Sequence, residues 1–459
     1  MSVLFDDHDR SVCVLGLGYV GLTLAATLAD VGFDVHGIEI RDEVRDGLNR
    51  SVPHFYEPGL PEMLERGRDT GRFSVAKNIT EETRARVYIV TVGTPLGDNG
   101  ISRLDMVMNV SQEIAGALRE GDLVVMRSTV KIGTTREIVM PILDQAGVAY
   151  DIAFCPERTL EGQALPELRH LPQIVGGQNE AATNRAAQLF QMMTPTTVRV
   201  GSIEAAETIK LIDNSQRDVQ FGFANEVARI CDSVGVSAEE VIRAGKLGYP
   251  RTNLPMPGPV GGPCLEKDSY ILAESVNDGL GELAITMAAR HLNEQQPFNS
   301  VAAIRLITDQ LKGFPDDPMI TLAGVAFKGR PVTDDLRGTM ARPILAALKA
   351  SYPTAQFRGY DGVVAPAGIR EVGLEPVGDL QAAFEQSDLV VIANNHPGFE
   401  TMPLARLASS MNSPGLIYDF WNNFQVGDLS MPDGIHYVAL GSHNYQALMA
   451  INNSNPSAN

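Results

Sequence analysis

The chain has 459 residues, 44% of them hydrophobic and 20% charged, with a formal net charge of −19. That length and composition suit a soluble globular protein of two or three domains. The acidic balance excludes an extended nucleic-acid or anionic-membrane surface, which needs clustered Lys and Arg, and the apolar runs stop short of a membrane span.

The four cysteines, Cys13, Cys155, Cys231 and Cys264, show no metal-ligand spacing, so no metal site is expected. Scattered cysteines in a long chain read as thiols of a reducing compartment. The polar segment 1–10 is no signal peptide, and the expected location is cytoplasmic.

Ser11–Leu15 (SVCVL) is a strand candidate that runs directly into glycine. A small-residue helix is predicted over 23–31 and a second strand over 35–40. Further strands are predicted over 87–91, 123–126, 152–155 and 197–200, with helix-like segments between. That alternation means βαβ units and a parallel sheet. From about residue 202 the texture changes. Apolar residues at helical spacing without proline predict one long helix over 204–234, and Ala238–Lys246 and 283–292 read as helices. Between them lies a Pro- and Gly-rich loop, 250–263, that leads into Cys264. Long irregular loops inside compact domains are often functional. After about residue 298 the alternation returns. Strands are predicted over 319–324, Gln356–Tyr360, Leu389–Ile392 and 416–418, with helices over 343–349 and 380–385. The residues 452–459 are expected to fray.

Gly16-Leu17-Gly18-Tyr19-Val20-Gly21 fits the G-x-G-x-x-G pattern between a strand and a helix. Backbone N–H groups there can hold a pyrophosphate. Glu39 closes the next strand, where an acid accepts ribose hydroxyls and repels the extra phosphate of NADP, so NAD is the expected cofactor. The plainer reading is a tight turn and a surface acid. Thr94-Pro95 and Ser128-Thr129 follow strands, at the sheet edge where ligands bind, and read equally as helix caps. Glu157 and Arg158 end another strand at the same edge.

Gly261-Gly262-Pro263-Cys264-Leu265-Glu266-Lys267-Asp268 carries the second chemical signal. A loop thiol near Lys267 can ionise, attack an aldehyde and carry an acyl group. The plainer fate, a small buried hydrophobe, suits the other three cysteines better. Lys210, Asn214 and Arg217 share a helix face at i, i+4, i+7, either solvated or lining a site.

With these segments in hand, the chain resembles the UDP-glucose/GDP-mannose dehydrogenase family over nearly its whole length. The resemblance rests on Gly16 to Gly21, Tyr56-Glu57-Pro58-Gly59-Leu60, Gly93-Thr94-Pro95, Ser128-Thr129-Val130 and Cys155-Pro156-Glu157-Arg158. It continues through 210–226, 261–268, Phe327-Lys328 and Asp334-Asp335-Leu336-Arg337, in the family's order. It implies an α/β fold of two Rossmann-like doubly wound domains joined by a central helical domain with one long helix. The implied division is NAD-binding 1–201, helical and dimer-forming 202–298 with the cysteine loop, UDP-binding 299–445, and a tail 446–459. It also implies oxidation of a sugar C6 alcohol to the carboxylate by two NAD⁺, in a homodimer.

By position, Cys264 would form the thiohemiacetal and thioester. Lys210, Asn214 and Asp268 would hold the hydroxyl and the hydrolytic water. Glu157, with Thr129, would assist thioester hydrolysis. Gly16, Gly18, Tyr19, Val20, Gly21, Glu39, Thr94, Thr129 and Arg337 would hold the cofactor. Arg158, Lys210, Asn214, Arg217, Arg251, Gly261, Phe327 and Lys328 would hold a UDP-sugar. The segments 217–226 and 250–253 look more like the branch acting on UDP-N-acetylhexosamines, such as UDP-N-acetylmannosamine. Three features depart from that branch: Pro263 before the cysteine, Lys267-Asp268, which is more typical of UDP-glucose members, and a loop one glycine short before Val260. UDP-glucose is the second expectation. A two-electron hydroxyacid-type dehydrogenase has no need for Cys264, and a non-catalytic binding protein has no need for the intact polar set.

Overall fold

A computed structural model describes residues 7–98, 100–276, 282–424 and 430–442. The expected tail 446–459 and the first six residues lie outside them. The chain forms two compact units. One holds Met1–Ser215 with Lys267–Glu282; the other holds Gln216–Glu266 with Leu283–Asn459.

The first unit is built on eight strands: β1 (Ser11–Leu15), β2 (Asp34–Ile38), β3 (Phe73–Ala76), β4 (Val87–Val90), β5 (Asp122–Met126), β6 (Tyr150–Phe154), β7 (Gln173–Gly177) and β8 (Thr197–Arg199). Their order is β3-β2-β1-β4-β5-β6-β7-β8. Every pairing is parallel except β6 with β7. Continuous apolar runs make these strands because helices cover both faces and both must be dry. Val12 and Val14 pack into one core with Val87, Ile89, Leu123 and Val125. Their neighbours Cys13 and Leu15 point the other way, into a second core with Tyr88, Val90, Val124 and Met126.

In the second unit the strands are β9 (Met319–Ala323), β10 (Gln356–Tyr360), β11 (Glu375–Pro376), β12 (Leu389–Ile392), β13 (Gly415–Asp419) and β14 (Ile435–Ala439). They order β11-β10-β9-β12-β13-β14, all parallel. This is the same doubly wound sequence as the first six strands of the other unit, with the crossover point between the first and fourth strands.

Two helices stand out in length. Ile203–Val234 has 32 residues, about 48 Å at 1.5 Å per residue. Ala284–Thr308 has 25 and runs straight through Pro297, so the helix predicted over 283–292 is extended by four turns. An interior proline removes one backbone bond and costs about 3 kcal/mol. Burial beyond it offsets that loss, because Val301, Ile304 and Ile307 enter the core under β9 and β12. Four strands escaped prediction. β3 and β11 are short edge strands with mixed burial, and β7 ends in two glycines. β14 follows the last predicted strand and ends at Ala439.

Candidate active site

In the first unit, β1 ends at Leu15 and a helix starts at Tyr19 with Gly18 as its cap. Gly16 sits at φ +91°, a conformation open to glycine. A Cβ on Gly21 would lie 1.9 Å from the Gly16 carbonyl oxygen, so this turn closes only with glycine at both points. A Cβ on Gly18 would meet nothing within 4 Å, and no side chain caps the helix. The first-turn N–H groups therefore face a cradle that fits a dinucleotide pyrophosphate. Thr91 Oγ1 fastens the turn by donating to the Gly16 carbonyl at 2.7 Å.

The loops after β4 and β5 meet at this edge. Thr94 donates its hydroxyl to the Thr129 carbonyl, and Ser128 Oγ donates to Val92 O at 2.7 Å. The two predicted threonines thus share one corner. Val20, half-buried, lies in the helix's first turn. Tyr19 is buried and its hydroxyl donates to Glu57. Glu57 also accepts from the backbone N–H groups of Gly162 at 2.7 Å and Ala164 at 2.8 Å. The Tyr19 hydroxyl ties the glycine turn to the segment after Glu157, and its ring lies 4.7 Å from that of Phe55. Burial and the Glu57 carboxylate both push the Tyr19 phenol far above its ordinary range.

Glu39 follows β2 and is 5% exposed. Its carboxylate accepts from Arg41 Nε and from Arg41 Nη2, each at 3.0 Å. Burial works against its ionisation, yet the Arg41 hydrogen bonds and charge outweigh it and hold the carboxyl below the usual range.

Glu157 lies just beyond β6, buried, and pairs with the fully buried Arg127 at the end of β5. It also accepts from the N–H groups of Arg158 at 2.7 Å and Thr159 at 2.9 Å. Burial alone would raise its pKa; the Arg127 charge and these donors overturn that and lower it. Arg127 further donates to Gln173 Oε1 at 3.2 Å and lies 4.9 Å from the centre of the Phe190 ring. A depressed carboxylate pKa adds stability above the unfolded value and loses it as pH falls through the folded one. Arg127→Met is expected to destabilise the protein by about 3 kcal/mol at neutral pH, since it leaves a buried charge unpaired. The difference should shrink in acid, as pH falls through the lowered Glu157 pKa and the carboxylate takes up a proton. Denaturant titrations at neutral and acidic pH check this; a pH-independent difference would contradict an ionised pair.

Arg158 is half-buried, donating to Pro172 O at 2.7 Å and lying 3.5 Å from Asp213. On the long helix, Lys210 and Asn214 are one turn apart and buried. Asn214 Nδ2 donates to Asp268 Oδ2 at 2.6 Å, and Lys267 Nζ donates to Asp268 Oδ1 at 2.9 Å. Asp268 is fully buried. Asn214 and Asp268, 54 residues apart in sequence, are thus brought together within the first unit.

The second unit carries the cysteine loop. Cys264 is exposed and directly precedes the helix Leu265–Glu274. Cys13, Cys155 and Cys231 are buried. Burial raises the pKa of all three, Cys155 to about 12. That leaves Cys264 as the solvent-accessible thiol among the four.

A buried polar network holds the loop on both sides of Cys264. Arg290 donates to the carbonyls of Val260 at 3.2 Å and Leu265 at 2.9 Å, and pairs with Asp218 at 2.8 Å. Asn293 Nδ2 donates to Asp218 Oδ1 at 2.9 Å. Asn225 exchanges two bonds with the backbone of Gly258, at 3.0 and 2.9 Å. The segment after β9 braces the other side. Gly262 N donates to Gly338 O at 2.8 Å. A Cβ on Gly262, which sits at φ +94°, would come within 2.5 Å of the Phe327 ring. Gly261 is as tightly placed, its Cβ position 2.2 Å from Gly338 O. Lys328 Nζ lies 5.1 Å from the Phe327 ring centre. Gly261, Phe327 and Lys328 are therefore neighbours of the cysteine loop within this unit.

Arg337 is exposed and its guanidinium grips Asp335 at 2.6 Å. Arg217 and Arg251 are exposed, and Arg251 lies over the Tyr249 ring at 5.3 Å. Arg217 does not share the burial of Lys210 and Asn214, although the helical spacing put the three on one face.

Arg127, Arg41, Arg290 and Asn293 were missed. The first two sit beside motif residues, a signal that could have been used. Arg290 and Asn293 lie in a helix with no local mark, and only tertiary packing brings them to the loop. Among the described residues no His/Cys/Asp/Glu cluster could hold a metal ion, and no helix is long and apolar enough to cross a membrane.

The NAD binding, central and UDP binding domains of the UDP-glucose/GDP-mannose dehydrogenase family match residues 10–194, 204–295 and 321–426. A UDP-N-acetyl-D-mannosamine dehydrogenase from Pyrococcus horikoshii is 31% identical over 407 residues, 87% of this chain and 93% of that one. An NDP-N-acetyl-D-galactosaminuronic acid dehydrogenase from Ralstonia nicotianae is 30% identical over 422 residues, 89% of this chain and 96% of the other. The solved structure of a UDP-D-ManNAc dehydrogenase from Pyrococcus horikoshii superposes with a TM-score of 0.84 at 29% identity, covering 94% of this chain and 99% of that one.

Proposed function

This chain belongs to the UDP-glucose/GDP-mannose dehydrogenase family, and from that premise we propose that it oxidises the C6 alcohol of a UDP-N-acetylhexosamine, first UDP-N-acetylmannosamine, to the uronate, with Cys264 as covalent nucleophile. The observation that carries the reading is Cys264 itself, the exposed thiol of the four, on a loop anchored at Val260 and Leu265.

The Gly16–Gly21 turn with Tyr19, Val20, Glu39, Thr94, Thr129 and Arg337 would hold NAD⁺, which would supply an acceptor for one hydride at a time. An aldehyde has no hydride to give until its carbonyl carbon is made tetrahedral. The Cys264 thiolate adds to that carbon, forming the C–S bond of a thiohemiacetal and retaining the intermediate. After the second oxidation water attacks the thioester carbonyl, the C–S bond breaks, Cys264 is regenerated as the thiolate and the uronate leaves. Lys210, Asn214 and Asp268 hold the reacting hydroxyl and this water and stabilise the developing oxyanion. Glu157, ionised beside Arg127, and Thr129 assist hydrolysis. Arg158, Arg217, Arg251, Gly261, Phe327 and Lys328 bind the UDP-sugar, Arg being suited to phosphate.

The relatives named for N-acetylmannosamine and N-acetylgalactosaminuronic acid support an N-acetylated sugar. Lys267-Asp268 favours UDP-glucose as a second reading. A cytoplasmic homodimer making polysaccharide precursors completes the proposal. Exposed Phe223, Ile230, Val234, Ile285 and Phe298 on the second unit's helices support self-association. The test is NADH counted per sugar over a panel of UDP-N-acetylhexosamines and UDP-glucose. Two per molecule of UDP-N-acetylmannosamine is expected. One per sugar refutes the double oxidation, and none with any sugar favours a binding role.

A further inference from the structure

An acid at the end of the second strand accepts the ribose 2′-hydroxyl of NAD, whereas an Arg nearby accommodates the 2′-phosphate of NADP. Here the charge of that acid, Glu39, is met on both oxygens. Arg41 Nε contacts Glu39 Oε1 and Arg41 Nη2 contacts Oε2, each at 3.0 Å, and the Arg41 backbone N–H donates to Oε1 at 3.0 Å as well. Arg45 Nη1 donates to the Glu39 carbonyl at 2.6 Å. His54 Nε2 lies 3.4 Å from Arg41 Nη2. Arg45 is balanced by Asp42. The local set is therefore neutral, with His54 adding positive charge when protonated, where a lone acid would stand at −1. The Arg41 side chain is 46% exposed, so a ligand can approach it from solvent, whereas Glu39 is buried beneath it.

We propose that the adenosine 2′ subsite of this chain accepts a phosphate, so that NADP⁺ binds as well as NAD⁺, with Arg41 as the specificity-determining residue. The guanidinium fork matches phosphate geometry and is already tethered where a 2′-phosphate would arrive. Arg41 works in opposite directions on the two cofactors. Toward NAD⁺ it competes with the ribose hydroxyls for the Glu39 carboxylate. Toward NADP⁺ it cancels the repulsion from that carboxylate and supplies the phosphate ligand.

The experiment uses the full chain and measures calorimetric Kd values for NAD⁺ and NADP⁺, and for the fragments 5′-AMP and adenosine 2′,5′-bisphosphate. For the unmodified protein the ratio of NADP⁺ to NAD⁺ Kd is expected below about a hundredfold, and a larger ratio overturns the proposal. Arg41→Ala is expected to raise that ratio by about tenfold, weakening NADP⁺ and the bisphosphate while NAD⁺ and 5′-AMP bind as tightly or more tightly. Arg41→Lys keeps the charge without the fork and should fall between. A rise smaller than about threefold in Arg41→Ala, or an equal loss for both cofactors, overturns it, because a merely structural arginine would weaken the two alike.

Discussion

Cys264→Ser is expected to cut uronate formation by about a thousandfold or more while leaving the protein folded. The thiol is exposed, so the change removes one sulfur and disturbs no core. A serine hydroxyl at neutral pH is a far weaker nucleophile than a thiolate, and no adjacent histidine is present in 261–268 to activate it. Binding of cofactor and UDP-sugar should persist, because the proposed contacts lie elsewhere. Steady-state uronate production, with intact-mass analysis for a sugar adduct on the unmodified enzyme, checks both halves. A serine variant that releases uronate at the original rate would remove Cys264 from the mechanism. The same change at Cys13, Cys155 or Cys231 would act on packing instead, since those thiols are buried.

For Arg290→Met the expectation is a loss of up to about 5 kcal/mol from the second unit, because the buried Asp218 carboxylate loses its cationic partner. Arg290 and Asp218 are 1% and 0% exposed in their side chains, so water cannot compensate. The second consequence is local. Val260 and Leu265 lose the donor that holds both sides of the cysteine, so Cys264 should react faster with iodoacetamide while turnover falls. Replacing Asp218 with Leu in the same chain should recover part of the stability, since removing both partners is less damaging than removing one. An unchanged denaturation midpoint with unchanged thiol reactivity would show that the network does not hold the loop.

Much of the fold could be read because its strands are buried on both faces. Continuous apolar runs such as 11–15 and 389–392 are buried within the sheets, and their ends match prediction. The exceptions follow from physics rather than composition. β7 exists because its backbone pairs with β6 and β8, a tertiary gain that two terminal glycines conceal. Proline at 297 reads as a stop, yet the apolar residues after it dock into the second sheet's core and keep the helix going.

The candidate site divides the same way. Gly16, Gly21, Glu39 and Cys264 were visible because each serves a local need, whether a tight turn, a strand-end acid or a loop thiol, and such needs are written in neighbouring residues. What the amino-acid sequence determined was therefore the residue chemistry and the alternation that builds two doubly wound sheets. Only the tertiary structure decided how that chemistry is set: that Glu157 is ionised against Arg127, that Glu39 is clamped by Arg41, and that Arg290 anchors the cysteine loop. The reason is that a buried charge takes its state from whatever packs against it, and those partners lie two, 30 or 72 residues away along the chain.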